Sequence, residues 1–211
     1  AEQAAHEILP ASSSLDDLFY VIYTSGSTGQ PKGATVKQQG VCNLLDWYIE
    51  EFDLHQYRHH LIISAFGFDL TQKNLWASLL TGGTLHFPVD DHYHPQHLIE
   101  QIRSEGIEVI NCAPSALYGL VDACEGDYQK LSSLRWVILG GEPIVLDKLR
   151  PWLSDPACQA QLVNNYGPTE CTDIAAFYRL DNIQRRTVPI GRPNTNVKLH
   201  LVNEAGQAVP P

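Results

Sequence analysis

The chain has 211 residues, 44% of them apolar and 18% charged, enough for one domain or two small ones with a buried core. A net charge of -10, with Arg185-Arg186 as the most notable basic pair, argues against a nucleic-acid-binding face. Five cysteines without a C-x-x-C pair favour a reducing compartment, the cytoplasm, over a disulfide framework, and no apolar run approaches the roughly 20 residues of a membrane helix.

Residues 1–17 lack a basic start followed by an apolar core, so they read as a tether or the tail of a preceding segment, not as a signal peptide. "FYVIYT" (19–24) is β-branched and aromatic and predicts a strand. "GVCNLLDWYIEEF" places Val41, Leu44, Leu45, Tyr48, Ile49 and Phe52 at helical spacing. "LIISA" (61–65) predicts a strand, "TQKNLWASLLTGG" a helix stopped at Gly82 or Gly83, and "TLHF" (84–87) a strand. "PQHLIEQIRSEG" predicts a helix with Pro95 in its first turn and Gly106 after its end. "EVINCA" (strand), "SALYGLVDAC" (helix) and "RWVILGGE" (strand) follow. "PIVLDKLRPWL" reads as a helix interrupted at Pro151. "QLVNNYG" predicts a strand ending in a turn, and "VKLHLV" (197–202) alternates like a strand with one exposed face. Cys42 and Cys112 sit in apolar segments and read as buried thiols. No repeat or low-complexity segment is present.

Alternating strands and helices with apolar strands predict an α/β fold, a mostly parallel sheet covered by helices on both faces. Ligands of such sheets gather beyond the carboxyl ends of the strands. Four chemically loaded stretches sit just after predicted strands: "YTSGSTGQPKG", "GFDLTQK", "GGE" and "NNYGPTE". Their shared placement points to one site.

In "YTSGSTGQPKG" (Tyr23 to Gly33), Gly26, Gly29 and Gly33 let backbone N–H groups approach an anion. Thr24, Ser25, Ser27 and Thr28 add hydroxyl donors, and Lys32 adds a point charge suited to phosphate. The order differs from the Walker loop G-x-x-x-x-G-K-[ST], and the nucleophile elbow G-x-S-x-G is absent. A Ser/Gly linker is the plain alternative, disfavoured directly behind "LFYVIY". "DDHYHPQH" offers Asp90, Asp91, His92, His94 and His97 as metal ligands, yet no second cluster stands at a recognised spacing; a solvated loop entering a helix is the better reading.

"YVIYTSGSTGQPKG" resembles the phosphate-loop signature of the adenylate-forming superfamily, which includes acyl-CoA ligases, luciferases and the adenylation domains of nonribosomal peptide synthetases. "FDLTQ", "NNYGPTE" and "PIGRPNTN" follow in that family's order and resemble its peptide-synthetase branch. The resemblance runs from Leu18 to the end. It implies a partial adenylation core over residues 18–211, part of a large N-terminal domain, with the C-terminal subdomain and its catalytic lysine lying outside this sequence. A fragment so bounded is expected to be inactive alone.

The same resemblance implies the roles. Thr24, Ser25, Gly26, Ser27, Thr28, Gly29 and Lys32 would cradle the pyrophosphate end of ATP. Tyr166 would stack on adenine, Asn164 would bond its edge, and Gly141 would let it lie flat. Thr169 would touch the α-phosphate and Glu170 would hold Mg2+, a cation that prefers oxygen ligands. Asp69 would pair with a substrate ammonium, whose burial without a counter-charge costs several kcal/mol; taken alone, Asp69 also suits a helix cap. Leu70, Lys73, Asn111, Ile138, Gly140, Asn165, Asp173 and Ile174 would line the side-chain pocket. A buried Lys73 needs either Asp173 or a polar substrate group, so the set implies a polar amino acid. Cys171 reads as a wall residue. Asn74 and Gln38 depart from the family's usual acidic residue and His.

The implied activity is amino-acid adenylation followed by thioester formation on the phosphopantetheine of a peptidyl carrier domain. A condensation domain and an MbtH-like helper protein are the further implied partners; nucleic acid and membrane are not. An acyl- or aryl-CoA ligase core, or a non-catalytic nucleotide- or carrier-binding piece, are the alternatives.

Overall fold

The structure, a computed structural model, describes residues 13–25, 30–90 and 92–209. Two strands, β1 (Leu18–Thr24) and β2 (Lys32–Lys37), form an antiparallel hairpin. Helix α1 (Gln38–Glu51) follows directly. Then come β3 (His59–Ile62), α2 (Asp69–Thr81), β4 (Thr84–His86), α3 (Pro95–Glu105), β5 (Val109–Cys112) and α4 (Pro114–Ala123). The chain continues through β6 (Trp136–Leu139), α5 (Arg150–Leu153), β7 (Gln161–Tyr166), β8 (Ala176–Arg179) and β9 (Arg192–Pro193). Strands β3 to β9 make a seven-stranded sheet of order β4-β3-β5-β6-β7-β8-β9. It is parallel from β4 to β7 and antiparallel from β7 to β9.

The period of two along each strand sorts the sheet's side chains onto two faces. Ile110, Val137, Leu139 and Leu162 join the core formed with α3, α4 and Trp152. Val109, Trp136, Ile138 and Val163 join the opposite core, where Tyr48 of α1 and Phe52 just after its end are fully buried. Both faces are therefore covered, which is why β6 reads as a continuous apolar run and β5 as one broken only by Asn111. The mostly parallel, helix-covered α/β sheet matches the expectation. Burial pushes the Cys112 thiol up to about 12, so it is a packing group.

Several expectations are corrected. Strand β3 starts two residues earlier than "LIISA" and ends at Ile62. Strands β2, β8 and β9 were not anticipated; β2 is mostly exposed, and its alternation is carried by only two buried residues, Ala34 and Val36. The segment 143–153 is not one helix but a 3-10 turn at Leu146–Lys148 and the short α5. Pro151 lies in the first turn of α5, where a missing N–H costs nothing. "VKLHLV" forms no strand, only a bridge from Val202 to Ala208, and most of it is exposed among the described residues. Cys42 is exposed, one position off the buried stripe of α1. Within the stretch expected as a tether, the backbone of Leu15 and Asp17 accepts hydrogen bonds from Gln39 and Gln38 and so ties to the start of α1.

Candidate functional site

The register of the parallel strands brings Asn111, Gly140 and Asn165 to one edge of the sheet. Asn111 pairs with Ile138 on β6, and Leu139 pairs with Asn164 on β7. Gly140 and Gly141 follow β6 directly. The N-terminus of α2 supplies Asp69, Leu70 and Lys73, and the loop after β7 supplies Asp173. Together these residues line a cavity of about 200 Å³. Ile138 and Ile174 lie behind this wall in the core beside α1.

Asp69 occupies the first turn of α2, where its charge suits the positive end of the helix. It does not cap the helix. Phe68 holds the cap position, and among the described residues the Asp69 carboxylate accepts from the N–H of Leu70 alone, at 2.8 Å. Lys73 is buried. Its Nζ lies 2.5 Å from Asp173 Oδ2 and 3.2 Å from the Leu70 carbonyl, and it faces the Tyr48 ring at 5.6 Å. Burial pushes the Asp173 carboxyl above its ordinary range; Lys73 opposes that shift and Asp69 adds to it.

Two amides in the same wall are unpaired. Asn111 Nδ2, and both Nδ2 and Oδ1 of Asn165, are buried without a hydrogen-bond partner. Leaving each such atom unmet costs about 1–3 kcal/mol, so a ligand that offers matching groups and draws these amides toward the cavity gains by entering.

The loop after β7 is shaped by strain and close approach. Thr172 and Asp173 both take the left-handed backbone, with φ of 60° and 66°. For non-glycine residues this costs about 1–3 kcal/mol each. A Cβ on Gly167 would stand 2.1 Å from the Asp173 carbonyl oxygen, so only glycine lets the loop close over itself. Ala175 N–H then bonds the Tyr166 carbonyl at 2.8 Å. Asn194, in "PIGRPNTN", clasps the loop from outside by donating to the Ile174 carbonyl at 2.6 Å. Sequence reading singled out that segment but gave Asn194 no role.

A second cavity, of about 570 Å³, adjoins the first through Gly141, Asn165 and Gly167. Its volume suits a small-molecule site. Asn164 and Tyr166 line it together with Arg186, Val188 and Ile190, to which the sequence reading gave no role at the site. Tyr166 is half exposed, and the Asn164 amide donates to the Pro189 carbonyl at 2.8 Å.

Thr24 and Lys32 face each other across the hairpin, with Thr24 Oγ1 donating to the Lys32 carbonyl at 3.5 Å, and Ser25 follows β1 directly. Gly26, Ser27, Thr28 and Gly29 lie outside the described residues. Strand β2 packs on the 3-10 turn Thr169–Cys171, which sets Thr169 and Glu170 near the hairpin. Glu170 is exposed and makes no ion pair among the described residues. A single carboxylate suits Mg2+, which is held by one or two carboxylates plus phosphate oxygens. Cys171 is exposed on this turn and is not part of the cavity wall. Among the described residues no three His, Cys, Asp or Glu side chains are grouped to hold a metal. His97 instead pairs with Asp90 at 2.5 Å, and Asp91 lies outside the described residues.

The whole chain, residues 1–211, matches the family described as AMP-binding enzyme. The chain belongs to the AMP-binding enzyme family. It is 38% identical over 197 residues to tyrocidine synthase 3 of Brevibacillus parabrevis, covering 92% of this chain and 3% of that protein. It is 33% identical over 201 residues to surfactin synthase subunit 2 of Bacillus subtilis (strain 168), covering 92% of this chain and 6% of that protein. Among solved structures, the nonribosomal peptide synthetase FmoA3 in its α-methyl-L-serine-AMP-bound form superposes with a TM-score of 0.83 at 29% identity, over 93% of this chain and 22% of that one. The Vibrio cholerae adenylation domain AlmE, in complex with glycyl-adenosine-5'-phosphate, gives 0.82 at 26% identity, over 93% and 38%. This AMP-binding chain thus spans a small part of the length of the curated relatives it matches, and its fold is that of adenylation-domain structures. No helix among its described residues is long and apolar enough to cross a membrane.

Proposed function

We propose that this chain forms the nucleotide and amino-acid sites of an adenylation domain in a nonribosomal peptide synthetase. In the first step the amino-acid carboxylate attacks the α-phosphorus of ATP. A C–O–P mixed anhydride forms, the α–β P–O bond breaks and pyrophosphate leaves. In the second, a phosphopantetheine thiol on a peptidyl carrier domain attacks the acyl carbon and AMP leaves. Catalysis of the first step is positioning and charge neutralisation.

The observation that supports this reading is the pair of adjoining cavities, one holding Asp69 and the other Tyr166. Asp69 would anchor the α-ammonium. Tyr166, Asn164 and Gly141 would hold the adenine, and Thr169 would touch the α-phosphate at the junction. Lys32, Thr24, Ser25 and the loop from Gly26 to Gly29 would hold the β- and γ-phosphates. Glu170 would hold magnesium, which when bound offsets phosphate charge. A carboxylate at position 69 has no counter-charge to offer a fatty-acid or aryl substrate, which disfavours an acyl- or aryl-CoA ligase. The amides and the ion pair of the smaller cavity favour a polar amino acid.

The test is amino-acid-dependent ATP–pyrophosphate exchange by the full-length protein carrying this chain, across the proteinogenic amino acids. One polar amino acid is expected to dominate, and Asp69→Ala to abolish its exchange. A preference for Leu or Phe would overturn the polar assignment. Exchange untouched by Asp69→Ala would remove the ammonium role.

A further inference from the structure

We infer that the smaller cavity selects an amino acid whose side chain is neutral and both donates and accepts hydrogen bonds, a carboxamide or a hydroxyl, and that Asp173 enforces this choice by occupying Lys73. The inference rests on the amino-acid adenylation reading above and narrows it.

The unmet atoms define the partner. Asn111 Nδ2 and Asn165 Nδ2 require acceptors, and Asn165 Oδ1 requires a donor. Because both ends of the Asn165 amide are unmet, the demand is the same whichever way that amide is turned. Asn111 is 3% and Asn165 7% exposed, and their unmet atoms are closed to water, so a substrate side chain meets them by turning the two amides toward the cavity they line. A carboxamide oxygen can accept from both Nδ2 groups while its NH2 donates to Asn165 Oδ1; a hydroxyl also offers both functions. A carboxylate only accepts and an ammonium only donates, and an aliphatic side chain meets none of the three atoms.

Charge gives the same answer independently. The ionisable side chains in the wall are Asp69, Lys73 and Asp173. Lys73 and Asp173 compensate each other at 2.5 Å, and Asp69 remains for the α-ammonium. A substrate carboxylate would then be an uncompensated third anion in a buried site, and a second ammonium would find no carboxylate left. Lys73, which by composition alone could receive an acidic substrate, is therefore unavailable to one. The left-handed turn at Thr172 and Asp173 holds the Asp173 carboxylate against it.

The test is pyrophosphate exchange by the full-length protein with Asn, Gln, Ser and Thr against Asp, Glu, Lys and Leu. A neutral polar member is expected to exceed Asp and Glu on the order of a hundredfold in kcat/KM. In Asp173→Asn, which frees Lys73, the ratio of acid to amide should rise at least about tenfold. In Asn165→Leu the ratio of Leu to the neutral polar substrate should rise. Wild-type preference for Asp, Glu, Lys or Leu overturns the inference while leaving amino-acid adenylation intact. Exchange with no amino acid at all overturns both. The wild-type screen decides the matter even where a variant fails to fold.

Discussion

Lys73 on α2 and Asp173 in the loop after β7, 100 residues apart in sequence, form an almost wholly buried ion pair that links the two elements flanking the amino-acid cavity. Desolvation and attraction nearly cancel in such pairs, but removing one partner strands the other. Lys73→Ala or Asp173→Ala is therefore expected to lower stability by about 3–5 kcal/mol, whereas Lys73→Met with Asp173→Leu should cost far less. Urea unfolding of the four forms gives the coupling directly. Additive single losses would show that the pair does not act as a unit.

His60 predicts an acid-sensitive stability. Its buried ring contacts the Tyr57 carbonyl through Nε2 at 2.9 Å and Ser78 Oγ through Nδ1 at 2.8 Å. Burial holds its pKa below that of an ordinary imidazole, and the same cause lowers that of His86. The unfolded chain thus takes up protons near pH 6.5 that the folded chain refuses. Stability is complete above pH 6.5 and falls as the pH drops through it, by at most about 1.4 kcal/mol per pH unit for one such group. Denaturation midpoints between pH 7.5 and 5 should fall, and His60→Gln should flatten the slope. An unchanged slope in that variant would assign the effect to other groups.

How much of this was legible beforehand depends on where the information lies. Helix α1 follows from apolar spacing and α3 from Pro95 and Gly106 at its two ends, while β6 and most of β5 are short apolar runs, because burial on both faces leaves that mark. The antiparallel strands β8 and β9 left none. They are short, and β9 is held by a close approach in which a Cβ on Gly191 would stand 1.9 Å from the Phe177 carbonyl oxygen. At the site, the resemblance to the family's motifs pointed to Asp69, Asn111, Asn165 and Tyr166. The unmet amides and the settled partner of Lys73 were not readable, because each depends on contacts between residues far apart in the chain. Asp69 alone suggested a cap, and only the fold showed Phe68 taking that place.

Tyr166 carries the prediction for the nucleotide. It is 51% exposed and lines the larger cavity with Gly141 and Asn164. An aromatic ring offered to a base contributes about 1–3 kcal/mol. Tyr166→Ala should weaken ATP binding by about 5- to 150-fold by the same measure, while Tyr166→Phe should retain most of it. Calorimetric titration with ATP separates the two. Equal binding by Tyr166→Ala and wild type would move the base elsewhere.

Gly167 makes the most exacting demand on the loop. Its missing Cβ leaves room for the Asp173 carbonyl, and Ala175 N would lie only 2.7 Å from that carbon. Both neighbours are backbone atoms, so neither can swing aside as a flexible side chain would. Gly167→Ala must therefore displace the segment from Asp173 to Ala175, losing the Ala175–Tyr166 hydrogen bond and pulling Asp173 from Lys73. Overpacking of this kind costs about 1–3 kcal/mol, and the stranded lysine adds to it. The two cavities meet at Gly167, so the same change should raise KM for both amino acid and ATP. A residue that only braces the fold would lower stability and leave both KM values alone. Pyrophosphate exchange measured beside unfolding separates these outcomes, and normal KM values in a folded Gly167→Ala variant would show that the loop has another way to close.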